Sequence, residues 1–190
     1  MNADISPTTD DSDGMQQASI RLDPSLPPVI SIVGKSGTGK TTLLEKLLHQ
    51  LKEHGLRVGV LKHHHHLSSF DVPGKDTYRL AAAGADIVAG VSPVQVAVFR
   101  RKDSSGDLDG VIADTFEGMD VVLTEGHKRG PYPKIEVQRV ARSDELLCRT
   151  EELIALVTDR HRQDFPVPQF GLDDAPGVCR LVIEYVERLR

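Results

Sequence analysis

The chain has 190 residues, a length that fits one domain with some residues left for a tail. Hydrophobic residues make up 39% of the chain and charged residues 27%, which is ordinary for a globular protein. The formal net charge of -5 argues against a general nucleic-acid binder, which needs a strongly basic surface. No segment approaches the roughly 18 apolar residues of a membrane span.

Residues 1–27 differ in composition from the rest of the chain. Acidic residues stand there among Ser, Thr, Pro, Gln and Gly, so little of this segment can be buried. We predict a disordered acidic tail that ends at Pro27 and Pro28, followed by one domain over residues 28–190. The chain does not open like a secretory signal, and its two cysteines lack Cys-x-x-Cys spacing, so we expect a cytoplasmic protein with idle thiols.

Strand and helix patterns alternate after the tail. Residues 29–33 are an apolar run rich in β-branched side chains, which predicts a buried strand, and residues 41–54 have leucines at helical spacing. The same patterns predict further strands at residues 57–61, 87–89, 94–99, 121–124, 153–157 and 167–170, and further helices at residues 75–83, 108–116 and 178–189. The alternation predicts an α/β fold with a mainly parallel sheet, helices on both faces and a β-hairpin across Ser92 and Pro93.

A phosphate-binding motif joins the first strand to the first helix. Residues 34–41 match G-x-x-x-x-G-K-[ST] in full, in the strand–loop–helix context that this P-loop motif needs. Its glycines let backbone amides approach phosphates, and its N–H groups form an anion nest at the helix N-terminus. Lys40 offers a cation to the β- and γ-phosphates, and Thr41 offers a hydroxyl to Mg²⁺. The predicted nucleotide-binding residues are Gly34, Lys35, Ser36, Gly37, Thr38, Gly39, Lys40 and Thr41. We therefore predict that residues 28–190 form a P-loop nucleotide-binding domain with the P-loop NTPase fold.

Polar residues that follow the strands should meet at the carboxyl edge of the parallel sheet, where ligands bind. Glu125 follows residues 121–124 and is the predicted second ligand of Mg²⁺, directly or through water. The rival carboxylate, Asp120, precedes that strand and would lie roughly 16 Å away at the other edge. Asp159 can accept two hydrogen bonds from guanine, but the Asn-Lys-x-Asp signature is missing, so chemistry alone hardly separates GTP from ATP.

Three features of the sequence have two alternative interpretations each. Lys35, directly after the first glycine of the motif, either reaches the nucleotide of a dimer partner or is a solvated charge. Asp76 either caps the short helix at residues 75–83 or points at the metal or the attacking water. Four consecutive histidines at residues 63–66 are either a solvated polar loop or a functional segment. The functional segment would lie beside the nucleotide or a bound ligand, or would hold a transition metal that alternate histidines face.

Four segments in fixed order carry a likeness to one known family. They are the P-loop segment at residues 33–43, V-G-V-L-K-H at 58–63, G-K-D-T-Y-R at 74–79 and V-L-T-E-G-H-K at 122–128. The P-loop alone is shared by very many proteins, but the four segments together are much more specific. From about residue 29 to its C-terminus the chain resembles the MobB family of molybdopterin-guanine dinucleotide biosynthesis adaptor proteins. It departs from the family at His127, where an aromatic residue is frequent, and in its longer histidine run.

The resemblance implies a GTP-binding adaptor with weak Mg²⁺-dependent GTPase activity. It implies work beside a MobA-like guanylyltransferase, which joins GMP to molybdopterin, during assembly or delivery of the molybdenum cofactor. It also implies homodimers with extended sheets. Carried onto this chain, it adds Thr42 to the phosphate-binding residues, lets Lys35 reach across the dimer, and places Glu125 in the magnesium-side motif. Lys35, Asp76 and Glu125 are the candidate catalytic residues, Thr41 and Glu125 the metal ligands, and GTP and Mg²⁺ the expected cofactors.

Two other functions use the same P-loop. A small-molecule kinase would carry an arginine-rich lid, which Arg100, Arg101 and Lys102 could supply. A metal-delivery GTPase would load Ni²⁺ or Zn²⁺ on the histidine run at residues 63–66. Both remain alternatives to the adaptor at this point.

Overall fold

The computed structural model describes residues 23–63, 69–101 and 108–189. Its strands are β1 (Val29–Val33), β2 (Val58–Lys62), β3 (Ile87–Val91), β4 (Val96–Arg100), β5 (Val121–Glu125), β6 (Lys134–Gln138), β7 (Leu153–Thr158) and β8 (Gln169–Phe170). Its helices are α1 (Lys40–Glu53), α2 (Asp76–Ala82), α3 (Leu108–Thr115) and α4 (Ala175–Arg188), with a 3₁₀ turn at Thr150–Glu152. Within these residues, no helix has both the length and the apolar composition that crossing a bilayer requires.

Six strands form one parallel sheet in the order β2-β5-β1-β6-β7-β8. β1 and β5 lie inside the sheet, and every residue of β1 is buried. Because all six strands run in one direction, their carboxyl ends share one edge, where the P-loop follows β1. The predicted parallel α/β architecture is confirmed.

Helices cover both faces of the sheet. Alternate residues of β1, Ile30 and Ile32, pack with the leucines of α1 and the apolar face of α4 in the largest core cluster. On the other face, Val29 and Val122 pack with Ile112 of α3. The period of two along the strands and the 3.6-residue period of the helices therefore bury complementary surfaces, as the sequence predicts.

The predicted hairpin is confirmed as a separate two-stranded sheet. β3 and β4 pair antiparallel, with Val88 opposite Phe99 on one face and Val91 opposite Val96 on the other. Val88 is buried, whereas Val96 and Val98 are 63% and 58% exposed. The hairpin thus turns one apolar face toward solvent in the isolated chain.

The sequence analysis missed β6, which lies between β1 and β7. Its sequence, KIEVQ, contains two charged residues and an amide, so it does not read as a buried run, yet all five residues are buried. Lys134 Nζ donates to Glu152 Oε1 at 2.8 Å and to the Gly130 carbonyl at 2.9 Å. Burial, the largest single influence, favours the protonated carboxyl, but the hydrogen bonds and positive charges of Lys134 and Arg149 together outweigh it and lower the pKa of Glu152. Such pairing is what allows charged side chains into the interior.

The predicted acidic tail lies mostly outside the described residues. Of its last part, Ser25 donates to the Asp23 carboxylate, and Leu26 packs against the cluster that contains Val29. Packing contacts therefore begin by Leu26, just before β1.

Cys148 and Cys179 are free and buried, and burial raises the pKa of Cys148 to about 12. A thiol with that pKa is protonated and unreactive at neutral pH, as expected for an idle cysteine.

Candidate functional site

Gly34 allows the phosphate loop to leave β1 against its neighbour β6. A Cβ at this position would lie 2.3 Å from the carbonyl oxygen of Val137 and 2.8 Å from Thr38 Oγ1. Its φ of +149° is also one that L side chains rarely adopt. Any other residue would push the loop away from β6, so the first glycine of the motif is required by packing as well as by backbone conformation.

Lys40 is folded over the loop that precedes it. Its Nζ donates to the carbonyl oxygen of Lys35 at 2.9 Å, and Thr38 Oγ1 donates to the same oxygen at 3.0 Å. Desolvation lowers the pKa of Lys40, while the nearby carboxylate of Glu125 acts in the opposite direction. A partly desolvated ammonium group at the start of a helix is placed to gain from a bound anion.

Thr41 and Glu125 meet at the carboxyl edge of the sheet. Thr41 Oγ1 donates to Glu125 Oε1 at 2.9 Å, and Lys62 Nζ lies 3.6 Å from Glu125 Oε2. A hydroxyl beside a carboxylate is an oxygen donor pair of the kind that Mg²⁺ takes, so these residues fit the metal. The rival carboxylate is elsewhere, because Asp120 Oδ2 accepts from the backbone N–H of Arg57 at 2.7 Å, at the start of β5.

A loop at residues 139–149, which we call the anchored loop, lies beside the P-loop. Two side chains of β6 and one that directly follows β7 hold its backbone. Asp159 Oδ1 accepts from Val140 N at 2.9 Å, and the Gln138 amide donates to the carbonyls of residues 143 and 144 at 3.2 and 2.8 Å. The Glu136 carboxylate accepts from the N–H groups of residues 147 and 148 at 2.7 and 3.0 Å.

Burial raises the pKa of Glu136 despite its two bonds from backbone N–H groups and the positive charges of Arg162 and Lys35. Burying the Glu136 carboxyl costs desolvation free energy, which its two hydrogen bonds to the loop backbone partly offset. The sequence analysis did not find the anchored loop. The polar residues of β6 were the signal, because Glu and Gln in a strand next to β1 need partners nearby.

Two residues of the anchored loop contact the P-loop. Ser143 Oγ accepts from Lys35 Nζ at 2.6 Å. A Cβ on Gly37 would lie 3.2 Å from both Nε and Nη2 of Arg142, so that guanidinium group lies directly against the middle of the P-loop. Lys35, which sequence reasoning considered for a contact across a dimer, is engaged by its own chain here.

Asp76 and Asp159 make contacts with residues other than Thr41 and Glu125. Asp76 lies in the first turn of α2 without a capping bond, 93% exposed at its side chain and 3.5 Å from Arg79. Asp159 stands at the carboxyl edge, where its carboxylate holds the anchored loop through Val140. Their predicted roles in catalysis and in guanine recognition stay predictions.

The histidine run is described only at its first member, since residues 64–66 lie outside the described residues. His63 follows β2, and its ring centroid lies 4.7 Å from that of His127, which follows β5. Among the residues that the structure describes, no group of three or more His, Cys, Asp or Glu could hold a metal ion. Because residues 64–66 lie outside the described residues, the metal-delivery alternative stays a prediction.

The arginines considered for a kinase lid are engaged around the hairpin. Arg100 pairs with Asp114 at 2.9 Å, and Arg101 donates to the carbonyl oxygen of Ala81 at 3.3 Å. Lys102 lies outside the described residues. In these contacts the two arginines brace β4 against α3 and α2, which is a structural role.

Known proteins similar to this chain were found at the levels of family, sequence and structure. The family model described as MobB, molybdopterin guanine dinucleotide synthesis protein B, matches residues 29–159. A molybdopterin-guanine dinucleotide biosynthesis adapter protein of Escherichia coli is 35% identical over 173 residues, covering 85% of this chain and 94% of that protein. The protein of the same description from Haemophilus influenzae is 37% identical over 134 residues, covering 70% and 75%.

Solved structures agree with the sequence comparisons. The crystal structure of Bacillus subtilis MobB matches with a TM-score of 0.67 and 30% identity, covering 83% of this chain and 96% of that one. A crystal structure of molybdopterin-guanine biosynthesis protein B matches with a TM-score of 0.65 and 28% identity, covering 84% and 99%. The predicted P-loop NTPase fold is confirmed by these structures.

Proposed function

The chain belongs to the MobB family, and from this premise we propose that it is a GTP-binding adaptor in molybdopterin guanine dinucleotide biosynthesis. In this proposal it binds GTP with Mg²⁺ in the cytoplasm, hydrolyses it weakly, and assists a MobA-like guanylyltransferase in attaching the guanine dinucleotide or delivering the cofactor. The observation that carries the proposal is the bond between Thr41 and Glu125, which joins the P-loop to the end of β5.

Each half of the site has a chemical task. The amides at the start of α1 and the Lys40 ammonium group would bind the phosphates, and Thr41 with Glu125 would hold Mg²⁺. The metal would neutralise charge between the β- and γ-phosphates and orient the terminal phosphate. The ammonium group of Lys62 lies 3.6 Å from Glu125 Oε2, beside the P-loop.

We also propose that the protein acts as a homodimer through the hairpin. The exposed face of β3 and β4 is almost wholly apolar, with Val91 at 77%, Val96 at 63% and Val98 at 58% exposure, and Val94 in the turn is 94% exposed. A contiguous apolar patch of this kind marks an interaction site, and a two-stranded sheet is only marginally stable alone. A second copy would cover the same face by two-fold symmetry.

Thermal melting with nucleotide tests the nucleotide site. GTP and Mg²⁺ should raise the melting temperature of the parent, since a ligand at 100 times its Kd stabilises by about 2.7 kcal/mol. Lys40→Ala should lose this shift while remaining folded, and its apo form should melt no earlier than the parent because a partly desolvated charge is removed. Lys52→Ala, at the other end of α1, is the matched control and should respond like the parent.

An undiminished GTP-induced rise in melting temperature in Lys40→Ala would remove the P-loop assignment, and a larger rise with ATP than with GTP would favour the kinase.

The adaptor role is tested by binding of purified guanylyltransferase to the immobilised parent with and without GTP. Absence of binding under both conditions would contradict the proposed partner.

A further inference from the structure

Arg142 is a cation that the fold places on the P-loop from another part of the chain. Its Nε and Nη2 atoms would each lie 3.2 Å from a Cβ on Gly37, so the guanidinium group rests where only a glycine leaves room. Among the described residues, the ion pairs of this region join Asp144 to Arg160 and Arg162 and do not include Arg142. The guanidinium group therefore has N–H donors available beside the loop.

The backbone around Arg142 is held in place by the sheet. Its own N–H donates to the carbonyl oxygen of Arg139 at 2.8 Å in a tight turn, and the anchored loop on either side is held by Asp159, Gln138 and Glu136. These anchors belong to β6 or directly follow β7, which are rigid elements. Because the backbone of Arg142 is already ordered, binding a ligand costs only the conformational entropy of its exposed side chain.

The positive charges around the P-loop favour the binding of an anion. Lys35, Lys40 and Arg142 all lie at the P-loop, and the first two are bonded to a hydroxyl and a carbonyl. Neighbouring cations repel one another, and although the Glu125 carboxylate offsets part of this repulsion at Lys40, further negative charge between the three cations would be favourable. A polyphosphate supplies that charge.

The direction of Lys40 indicates which phosphate is near Arg142. In P-loops the lysine serves the outer phosphates, whereas the backbone cradles the inner ones. Lys40 Nζ is bonded to the carbonyl oxygen of Lys35, so the outer phosphates would lie on the side of residues 35–37. Arg142 lies against Gly37 on that part of the loop.

We propose that Arg142 donates hydrogen bonds to the terminal phosphate of a nucleoside triphosphate bound at the P-loop, and so makes the site prefer triphosphate over diphosphate. The planar guanidinium fork matches two phosphate oxygens, which a lysine cannot do. The proposal rests on the proposed nucleotide-binding function and adds a residue from the same chain to it. The anchored loop thereby becomes the element that responds to the terminal phosphate.

Calorimetric titration of GTP, a non-hydrolysable GTP analogue and GDP, each with Mg²⁺, tests this role. In Arg142→Ala, affinity for the two triphosphates should fall roughly tenfold to a hundredfold, as for a lost charge-assisted bond, while GDP affinity changes much less. Arg142→Lys should give an intermediate loss for the triphosphates. Arg188→Ala, which removes the same charge at the far end of α4, should match the parent for all three ligands.

Equal losses for GTP and GDP in Arg142→Ala would overturn the assignment to the terminal phosphate, and unchanged affinities would overturn the contact altogether. Arg142 is exposed, so the variant should fold; circular dichroism checks this, and Arg142→Lys provides the second test with the charge retained. If the parent itself binds no guanine nucleotide, the proposed function fails. If the parent binds and Arg142→Ala binds equally, only this inference fails.

Discussion

Thr41 and Glu125 show how two distant residues complete one site. They are separated by 84 positions, and a 2.9 Å bond between Oγ1 and Oε1 joins them because β1 and β5 are paired in parallel. Both strands end at the same edge, so Thr41 in the first turn of α1 and Glu125 at the end of β5 are neighbours. This is the arrangement from which the magnesium prediction follows.

Glu125→Gln should uncouple nucleotide binding from Mg²⁺. The substitution keeps the size of the side chain but removes the charge that would hold the metal, so the gain in GTP affinity on adding Mg²⁺ should fall roughly tenfold or more. GTP hydrolysis should decrease more than metal-free GTP binding. Titrations with Mg²⁺ and with EDTA, together with phosphate release, measure both effects.

Asp120→Asn is the matched control for this prediction. It neutralises the rival carboxylate, which holds Arg57 at the start of β5, and should leave the Mg²⁺ dependence unchanged. A loss of Mg²⁺ dependence in Asp120→Asn but not in Glu125→Gln would reverse the assignment.

At the scale of elements, β6 connects the core to the anchored loop. Its apolar residues Ile135 and Val137 join the main cluster, while Glu136 and Gln138 hold the anchored loop. A strand of this kind has one apolar face and one polar face, and both faces are buried. Stability and the geometry of the site therefore depend on the same five residues.

Lys134→Met should destabilise the protein through Glu152. The methionine fills much of the lysine volume but leaves a carboxylate with 13% exposure with the more exposed Arg149 as its partner, which costs up to roughly 3 kcal/mol. The double variant Lys134→Met/Glu152→Gln should recover part of this loss. Urea denaturation at pH 7 measures the free energies of unfolding.

The pH dependence gives an independent readout of the same pair. Because the pKa of Glu152 is lowered from its ordinary value of 4.5, its contribution is present above that pH and is lost as the pH falls through the folded-state pKa. Glu152→Gln should flatten this acid-side loss of stability. Identical midpoints of urea denaturation at pH 7 for the parent and Lys134→Met would contradict the stabilising role given to the Lys134–Glu152 pair.

At the scale of the whole molecule, the hairpin and the site lie on separate sheets. The six-stranded sheet carries the P-loop, Glu125 and the anchored loop, whereas β3 and β4 form their own sheet with an exposed apolar face. A dimer through the hairpin would leave the carboxyl edge of the main sheet to the nucleotide within each chain. The contacts of Arg142 and Lys35 with their own chain agree with that division.

Val98→Glu should convert the proposed dimer to a monomer. A carboxylate on the exposed face of β4 would have to be buried without a partner on association, at a cost of several kcal/mol. Light scattering after size-exclusion chromatography measures the mass. Gln95→Glu adds the same charge in the hairpin turn, next to the apolar face, and should remain dimeric. A parent that is monomeric at high concentration would contradict the dimer.

Several elements could be predicted from the sequence because their signals are local. Each of these signals lies within one short segment: the glycines and the lysine of the P-loop, the leucines of α1 and the β-branched run of β1. The position of Glu125 at the carboxyl edge of the sheet was predicted from the rule that parallel strands end at one edge. β6 was missed because its pattern makes sense only with partners that come from outside the strand, such as Glu152 and the loop at residues 143–148.

The sequence by itself determined the α/β architecture, the P-loop and the family to which the chain belongs, since periodicity and contiguous motifs are properties of short segments. Only the tertiary structure decided that β6 stands beside β1 and that Arg142 lies on Gly37. The physical reason is that these contacts join residues far apart in the chain. Pairing with β1 and core packing place β6, and its buried polar side chains then hold the anchored loop through hydrogen bonds to the loop backbone.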